Sequence, residues 1–443
     1  MKISVIGAGY VGLVTGTCLA DLGYSIHCVE KNNEKLDSLK HGACPFFEPG
    51  LDDYMQNNIT ASRLTFSNDI KKAVTESGII FIAVGTPQKS NGEPDVSHVM
   101  DVIKNICDHL QDINLEKSPK ILIMKSTVPV GTCRKISEYL QKNNISQTSC
   151  QIVSNPEFLR EGTAVEDFFR PDRIVIGCDD KKTGETVGNL YRGLYRIETP
   201  IVMCSLETAE LSKYASNAFL ATKISFINEI ANLCSLIGAD VHKIAKIMGM
   251  DGRIGKYFLH PGPGYGGACL PKDTKAMLHF SSESGYDLRI IKAVDEVNSY
   301  QKNLTVQRLL SIFNNTLSDK HFAILGIAFK PNTDDIREAP ALTIINQLLE
   351  QKASITVCDP EALENTKSVF GNKLSYTKSA YECAKNADAL IIVTEWNAFR
   401  ELDLLRIKSL MNHALIVDTR NVYDPDIVKN AGFQYEGFGR DHF

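Results

Sequence analysis

The sequence predicts an α/β chain: two Rossmann-like, doubly wound halves joined by a long central helix and a helical dimerisation region. Three observations carry this. A strand, a glycine-rich turn, a helix and a second strand ending in an acid open the chain. A new set of short apolar strands begins near residue 322. Between them, apolar residues recur at helical spacing over 206–237. A length of 443 residues leaves room for about three domains of roughly 150 residues each. We divide the chain at 1–200, 201–300 and 301–443.

In the first part, Ile3-Ser4-Val5-Ile6 reads as a buried strand and is followed by Gly7-Ala8-Gly9-Tyr10-Val11-Gly12 and an apolar helix through Leu22. Ser25–Glu30 is the next strand, with the acid at its end. This is the full context of a dinucleotide fingerprint, in a βαβ unit of about 30 residues. Gly7 makes the tight turn, Gly9 lets backbone N–H groups approach a pyrophosphate, and Gly12 lets the helix pack on the strand. Glu30 can accept from both ribose hydroxyls and would repel a 2′-phosphate, which favours NAD. Lys35 fits either a solvated helix face or a phosphate contact. Two more buried strands, Ile79–Val84 and Ile121–Met124, end in Gly85-Thr86-Pro87 and Lys125-Ser126-Thr127-Val128-Pro129. Ligands sit at the carboxyl ends of such strands, so Thr86 and Thr127 could reach the cofactor or reacting carbon. Each could equally cap the helix that follows.

In the middle part, Leu220, Ile224, Ile227, Ile230, Cys234 and Ile237 step by three and four. A helix over 206–237 would span roughly 48 Å, long enough to link domains or build a subunit interface. Gly238 closes it. In the last part, Phe322–Gly326, Ser354–Cys358 with Asp359 after it, Ala389–Val393 and Ala414–Val417 read as strands, with a helix over 341–349. No G-x-G-x-x-G is present there, so a second dinucleotide is not expected. Lys330, Arg337 and Arg420 lie just beyond strand ends, where a nucleotide diphosphate would need cations.

The composition narrows the partners. A formal net charge of −5 gives no footprint for nucleic acid or an anionic membrane. No unbroken apolar run approaches the roughly 18 residues of a membrane span, and the first residues have no signal-peptide layout. The 12 cysteines are scattered without a C-x-x-C, and the 10 histidines form no ligand pair. A reducing cytoplasm and no metal follow as expectations.

The chemistry concentrates in Gly264-Tyr265-Gly266-Gly267-Ala268-Cys269-Leu270-Pro271-Lys272-Asp273. Gly266 and Gly267 clear space beside the sulfur for a substrate and its backbone donors. Pro271 suits the first turn of a helix, which places Cys269 at a helix N-terminus beside Lys272, where thiolate is favoured. Lys213 and Asn217 share a helix face; they could stabilise an oxyanion or be solvated. Asn155–Gly162 carries Glu157 and Glu161, which could divide acid and base roles or form an exposed helix turn. Phe158 and Leu159 between them could pack on a base or sugar. A hydride acceptor together with a reactive thiol points to oxidation beyond the aldehyde, through a thiohemiacetal and a thioester to the acid.

The glycine motif, Ser126–Pro129, Asn155–Gly162, Glu210–Asn217, Gly264–Asp273, Phe329-Lys330 and Arg337 together resemble the UDP-glucose/GDP-mannose dehydrogenase family over nearly the whole chain. The Pro-Gly-Pro-Gly-Tyr run resembles its UDP-glucose branch. The resemblance implies conversion of UDP-glucose to UDP-glucuronate with two NAD and one water, for polysaccharide or lipid pathways. It makes Cys269 the nucleophile and Lys213 and Asn217 the oxyanion donors. Asp273 would assist proton transfer or hold Lys213, and Thr127, Glu157 and Glu161 would organise water and substrate.

For NAD it implies Gly7, Gly9, Tyr10, Val11, Gly12, Glu30, Lys35, Thr86, Thr127, Glu161, Lys272 and Arg337. For the sugar nucleotide it implies Glu157, Phe158, Leu159, Arg160, Glu161, Lys213 and Asn217. A loop of Phe258, Leu259, His260, Pro261 and Gly262 would surround the uridine. Gly266 would present backbone to the sugar, Lys330 and Arg420 would bind hydroxyls and phosphate, and Arg253 would reach in from a neighbouring subunit. The long helix would form a homodimer interface, within a dimer or a higher oligomer, and the substrate would close between the two α/β domains. Two departures stand out: Glu30 where many members have Asp, and Ala268 where many have Ser. GDP-mannose oxidation by the same route is the nearest alternative, with an N-acetylmannosamine substrate further away. A non-catalytic NAD-binding sensor is the alternative of another class; Cys269, Lys213, Asn217 and Asp273 together argue against it.

Overall fold

The computed structural model describes residues 2–89, 92–197 and 199–440. It forms two compact units, Met1–Ser216 and Asn217–Phe443. Each is built on a sheet whose central strands are short, apolar and buried, as parallel strands covered by helices must be.

The first unit holds eight strands: β1 Lys2–Ile6, β2 Ser25–Val29, β3 Leu64–Ser67, β4 Ile79–Ile82, β5 Lys120–Met124, β6 Cys150–Ser154, β7 Ile174–Gly177 and β8 Ile201–Cys204. Their order is β3-β2-β1-β4-β5-β6-β7-β8, and the β6–β7 pair is antiparallel. The first six strands follow the dinucleotide-binding order, in which the chain switches direction between β1 and β4. That switch brings the turn after β1 and the loop after β4 to one crevice. Alternate residues divide the core: Ile3, Val5 and Phe81 pack with the helix Tyr10–Asp21, while Ile6, Ile80, Ile82 and Leu122 pack on the other face. The sequence reading missed β3, β6, β7 and β8. Gln151 interrupts β6, β7 is four residues long, and β8 is an exposed edge.

The second unit carries six strands: β9 His321–Leu325, β10 Ser354–Cys358, β11 Ser375–Thr377, β12 Ala389–Ile392, β13 Leu415–Asp418 and β14 Gln434–Gly437. All pair in parallel, in the order β11-β10-β9-β12-β13-β14. This is the order of the first six strands repeated, around a core of Phe322, Ile324, Val357, Ile391 and Ile416.

One helix, Leu206–Ile237, begins in the first unit and runs into the second. Gly238 ends it in the left-handed region at φ 72°. By length and composition alone it could cross a membrane, with 33% of the apolar window buried. Lys213, Lys223 and Glu229 interrupt its apolar residues, so no unbroken run announces this. Helices Val241–Gly249, Leu270–Glu283 and Arg289–Ile312 follow it.

Candidate active site

In the first unit the three fingerprint glycines have different surroundings. A Cβ on Gly7, at φ +96°, would meet the Ala83 carbonyl oxygen at 2.7 Å, and one on Gly12 would meet the Gly7 oxygen at 1.9 Å. A Cβ on Gly9 would meet nothing within 4 Å. Gly7 and Gly12 are therefore demanded by packing, while Gly9 borders open space. That arrangement fits a pyrophosphate approaching the backbone at the start of the helix. Glu30 follows β2, accepts from the Asn32 N–H at 2.9 Å and pairs with Lys35 Nζ at 3.3 Å. Lys35 is thus engaged with the acid that would meet the ribose, rather than simply solvated.

The hydroxyl of Thr86 donates to the Thr127 carbonyl at 2.9 Å, and that of Ser126 donates to the Val84 carbonyl at 2.7 Å. The loops after β4 and β5 are sewn together. Neither threonine caps a helix, because the next helices start at Ser97 and Thr132. The capping role at Thr132–Lys142 belongs to Glu210 of the long helix. Its carboxylate accepts from Gly131 N at 2.6 Å and Cys133 N at 2.8 Å. Burial raises the Glu210 carboxyl above its ordinary range, and the two N–H groups pull the other way.

The segment 155–162 is not a helix turn, and it is not exposed at the residues that matter. Asn155 and Glu157 are buried. Glu157 pairs with Lys213 Nζ at 2.9 Å and also accepts from the Leu159 N–H. Lys213 is therefore a buried, paired cation and not part of a solvated face. Phe158 lies under the Arg173 guanidinium at 3.7 Å, with Lys213 Nζ 5.5 Å from the ring. One face of the ring is thus covered by the Arg173 guanidinium. Arg160 forks onto Asp167, with its shortest contact 2.5 Å.

Beneath this loop lies Lys125, which the sequence reading passed over. Its Nζ donates to Asn155 Oδ1 at 3.1 Å, the same oxygen that receives the Tyr191 hydroxyl at 2.5 Å. Burial brings the Lys125 ammonium down to about 8; Glu157 opposes this and Lys213 adds to it. A lysine directly after a buried strand was the available signal.

In the second unit Cys269 is the N-cap of helix Leu270–Glu283, with Pro271 in the first turn, as the sequence predicts. Asp273 is 1% exposed. It accepts from Asn217 Nδ2 at 2.6 Å and from Lys272 Nζ at 2.5 Å. Asn217 is fixed by this carboxylate, and Lys213 by Glu157. The glycines before the cysteine also answer to packing. A Cβ on Gly266 would meet the Glu338 carbonyl oxygen at 2.4 Å, and one on Gly267 would meet the Phe329 ring at 2.8 Å. They let the cysteine loop sit against 329–338.

The loop Phe258–Gly262 is held by neutral amides from two helices. Asn228 accepts from Gly262 N at 2.8 Å, Gln301 donates to the Gly262 carbonyl at 2.8 Å, and Asn298 bonds both backbone groups of Tyr265. Phe258 sits at φ 62°, Leu259 is buried and His260 exposed. Gly262 approaches Arg420 so closely that a Cβ would lie 2.8 Å from Nη1. Arg420 donates to the Val393 carbonyl at 2.9 Å and pairs with Glu395 at 3.1 Å. Lys330 Nζ stands 5.4 Å from the Phe329 ring. Arg337 forks onto Asp335 and Arg253 onto Asp251, the latter with a side chain 90% exposed. Among the described residues, no group of three or more His, Cys, Asp or Glu could hold a metal ion.

Comparison with known proteins agrees with this geometry. The UDP-glucose/GDP-mannose dehydrogenase family profiles match in three parts: the NAD binding domain over residues 1–195, the central domain over 207–300 and the UDP binding domain over 323–425. The chain is 45% identical to a UDP-glucose 6-dehydrogenase of Rhizobium meliloti, over 99% of this chain and 100% of that protein. It is 42% identical to the UDP-glucose 6-dehydrogenase TuaD of Bacillus subtilis, over 99% and 93%. A solved UDP-glucose dehydrogenase from Pyrobaculum islandicum matches at a TM-score of 0.90 and 34% identity, covering 99% and 97%. The chain is an NAD-dependent dehydrogenase and belongs to the UDP-glucose/GDP-mannose dehydrogenase family.

Proposed function

We propose that the chain oxidises UDP-glucose to UDP-glucuronate, with Cys269 as nucleophile. The observation that carries the reading is Cys269 at the N-cap of its helix, where backbone N–H groups and the dipole favour a thiolate. NAD, when bound, accepts a hydride from the substrate carbon in each of two oxidations. Between them, the Cys269 sulfur adds to the aldehyde carbon to give a thiohemiacetal. Loss of the second hydride leaves a thioester. Water then attacks the thioester carbon, the carbon–sulfur bond breaks, and the acid and the free thiol separate.

Lys213 and Asn217 supply the donors for the oxygen that becomes negative in the thiohemiacetal and in thioester hydrolysis. Glu157 holds the first and Asp273 orients the second, so neither need reorganise when charge develops. Thr127, Glu157 and Glu161 place water and substrate, and Arg420, Lys330 and the 258–262 loop receive the nucleotide diphosphate. We assign the three parts 1–200, 201–300 and 301–443 to cofactor, cysteine and UDP-sugar respectively.

We assign the chain to the cytoplasm, without a membrane partner, as a homodimer or a higher homo-oligomer. Phe219, Phe226, Leu233, Leu236 (84% exposed) and Ile237 support the self-association, because they form an apolar stretch of helix that a second copy would cover. Rapid-quench analysis of Cys269→Ala tests the mechanism. It should form no UDP-glucuronate, and acid formation at the wild-type rate would overturn the thioester route.

A further inference from the structure

Glu48 lies outside every motif discussed above, yet its carboxylate is only 4% exposed and joins three distant segments. It receives the hydroxyl of Tyr10, the first residue of the helix after Gly9. It also receives Gly162 N at 2.6 Å and Ala164 N at 2.7 Å. The Tyr10 hydroxyl accepts from Gly162 N at 3.2 Å as well, closing a ring of hydrogen bonds. Gly162, at φ +79°, directly follows Glu161. The ring of Tyr10 packs on Phe46, with centroids 4.9 Å apart. Burial and the neighbouring Glu48 raise the Tyr10 hydroxyl far above its ordinary range, so it stays a donor.

We propose that Glu48 is a positioning residue that locks the dinucleotide turn to the Glu161 loop through Tyr10, Gly162 and Ala164. A buried carboxylate facing three donors has no water to fall back on, so its geometry is tightly determined. Through Tyr10 it fixes the first turn of the helix that receives the pyrophosphate. Through Gly162 it fixes the backbone on the carboxyl side of Glu161. The inference rests on the NAD role of the first unit and not on the identity of the sugar.

Glu48→Gln preserves volume but turns one acceptor into a donor aimed at a backbone N–H. NADH fluorescence titration of the full-length protein, without sugar, should show affinity falling about tenfold in Glu48→Gln. Tyr10→Phe removes one hydroxyl and no packing, and should weaken NADH about threefold. The KM for UDP-glucose should rise by less than the NADH affinity falls in both variants, because Tyr10 opens the cofactor helix and only the Glu161 loop reaches toward the sugar. Amide exchange at Gly162 and Ala164 should quicken in Glu48→Gln. Unchanged NADH affinity in both variants would overturn the proposal. So would equal losses for NADH and UDP-glucose, which would make Glu48 a general support of the fold. Should Glu48→Gln fail to fold, Tyr10→Phe decides the matter alone. If the sugar assignment is wrong, UDP-glucose turnover fails in the parent protein while these NADH results stand.

Discussion

The two halves share one strand order and use the end of the first strand in opposite ways. After β1, Gly9 borders open space, and Glu30, beyond β2, pairs with Lys35. After β9, Gly326 at φ +91° is packed against Thr394. The next two N–H groups, of Ile327 and Ala328, donate to Asp359 Oδ2 at 2.6 and 3.1 Å. Asp359, just beyond β10, is fully buried and also receives Glu361 N, Ala362 N and the Trp396 indole. The acid after the second strand pairs with Lys35 in one half and closes the turn after the first strand in the other. One topology thus gives a dinucleotide cradle or a sealed scaffold, according to whether the protein's own carboxylate occupies the turn.

Substitutions at the turns test that contrast, and the largest effect is at Gly12. Its Cβ would strike backbone, so Gly12→Ala should destabilise the first half by more than about 4 kcal/mol in urea unfolding. Gly9→Ala meets no protein atom and should leave unfolding within about 0.5 kcal/mol while weakening NADH binding at least about tenfold. Equal destabilisation by the two would erase the distinction between packed and open glycines.

Next is Asp359→Asn, which turns an acceptor toward backbone donors. It should cost the second half about 4 kcal/mol, seen as faster amide exchange in β9 and β10. NADH affinity should not change.

A smaller effect is expected at Lys125. Its ammonium titrates near 8 in the fold and near 10.4 in an unfolded chain. Between those values the unfolded state holds more protons, so this group's contribution to stability rises with pH and its burial penalty applies below the folded value. Lys125→Met should therefore show its greatest relative stability at pH 7. That advantage should shrink by about 3 kcal/mol as pH rises to 10. An advantage that grew with pH would contradict the buried, proton-losing lysine.

Much of this site was legible because its residues sit in contiguous motifs. The cradle is a six-residue run, and the cysteine, its helix start and Asp273 fall within five residues, so local spacing was sufficient. The supports were not legible in the same way. Glu48 acts 114 residues from Gly162, Glu210 acts 79 residues from Gly131, and the amides Asn228, Asn298 and Gln301 lie within ordinary helical patterns. A lone polar residue on an apolar helix has the same appearance whether it holds a loop or faces water. For Gly266 and Gly267 the residue type was legible, but not the neighbours they accommodate, the Glu338 backbone and the Phe329 ring of a distant loop. Weak strands such as β3 and β11 escaped because polar residues break their apolar pattern, whereas β7 and β8 are apolar but only four residues long.

The central claim is oxidation of one sugar carbon twice, through Cys269. The direct measurement is NADH formed per sugar consumed, with UDP-glucose, GDP-mannose and UDP-N-acetylmannosamine offered separately. Two NADH per UDP-glucose, with UDP-glucuronate as product, is the predicted result. Two per another sugar would move the specificity and leave the chemistry intact. One NADH per sugar, or none with any of the three, would contradict the role given to Cys269.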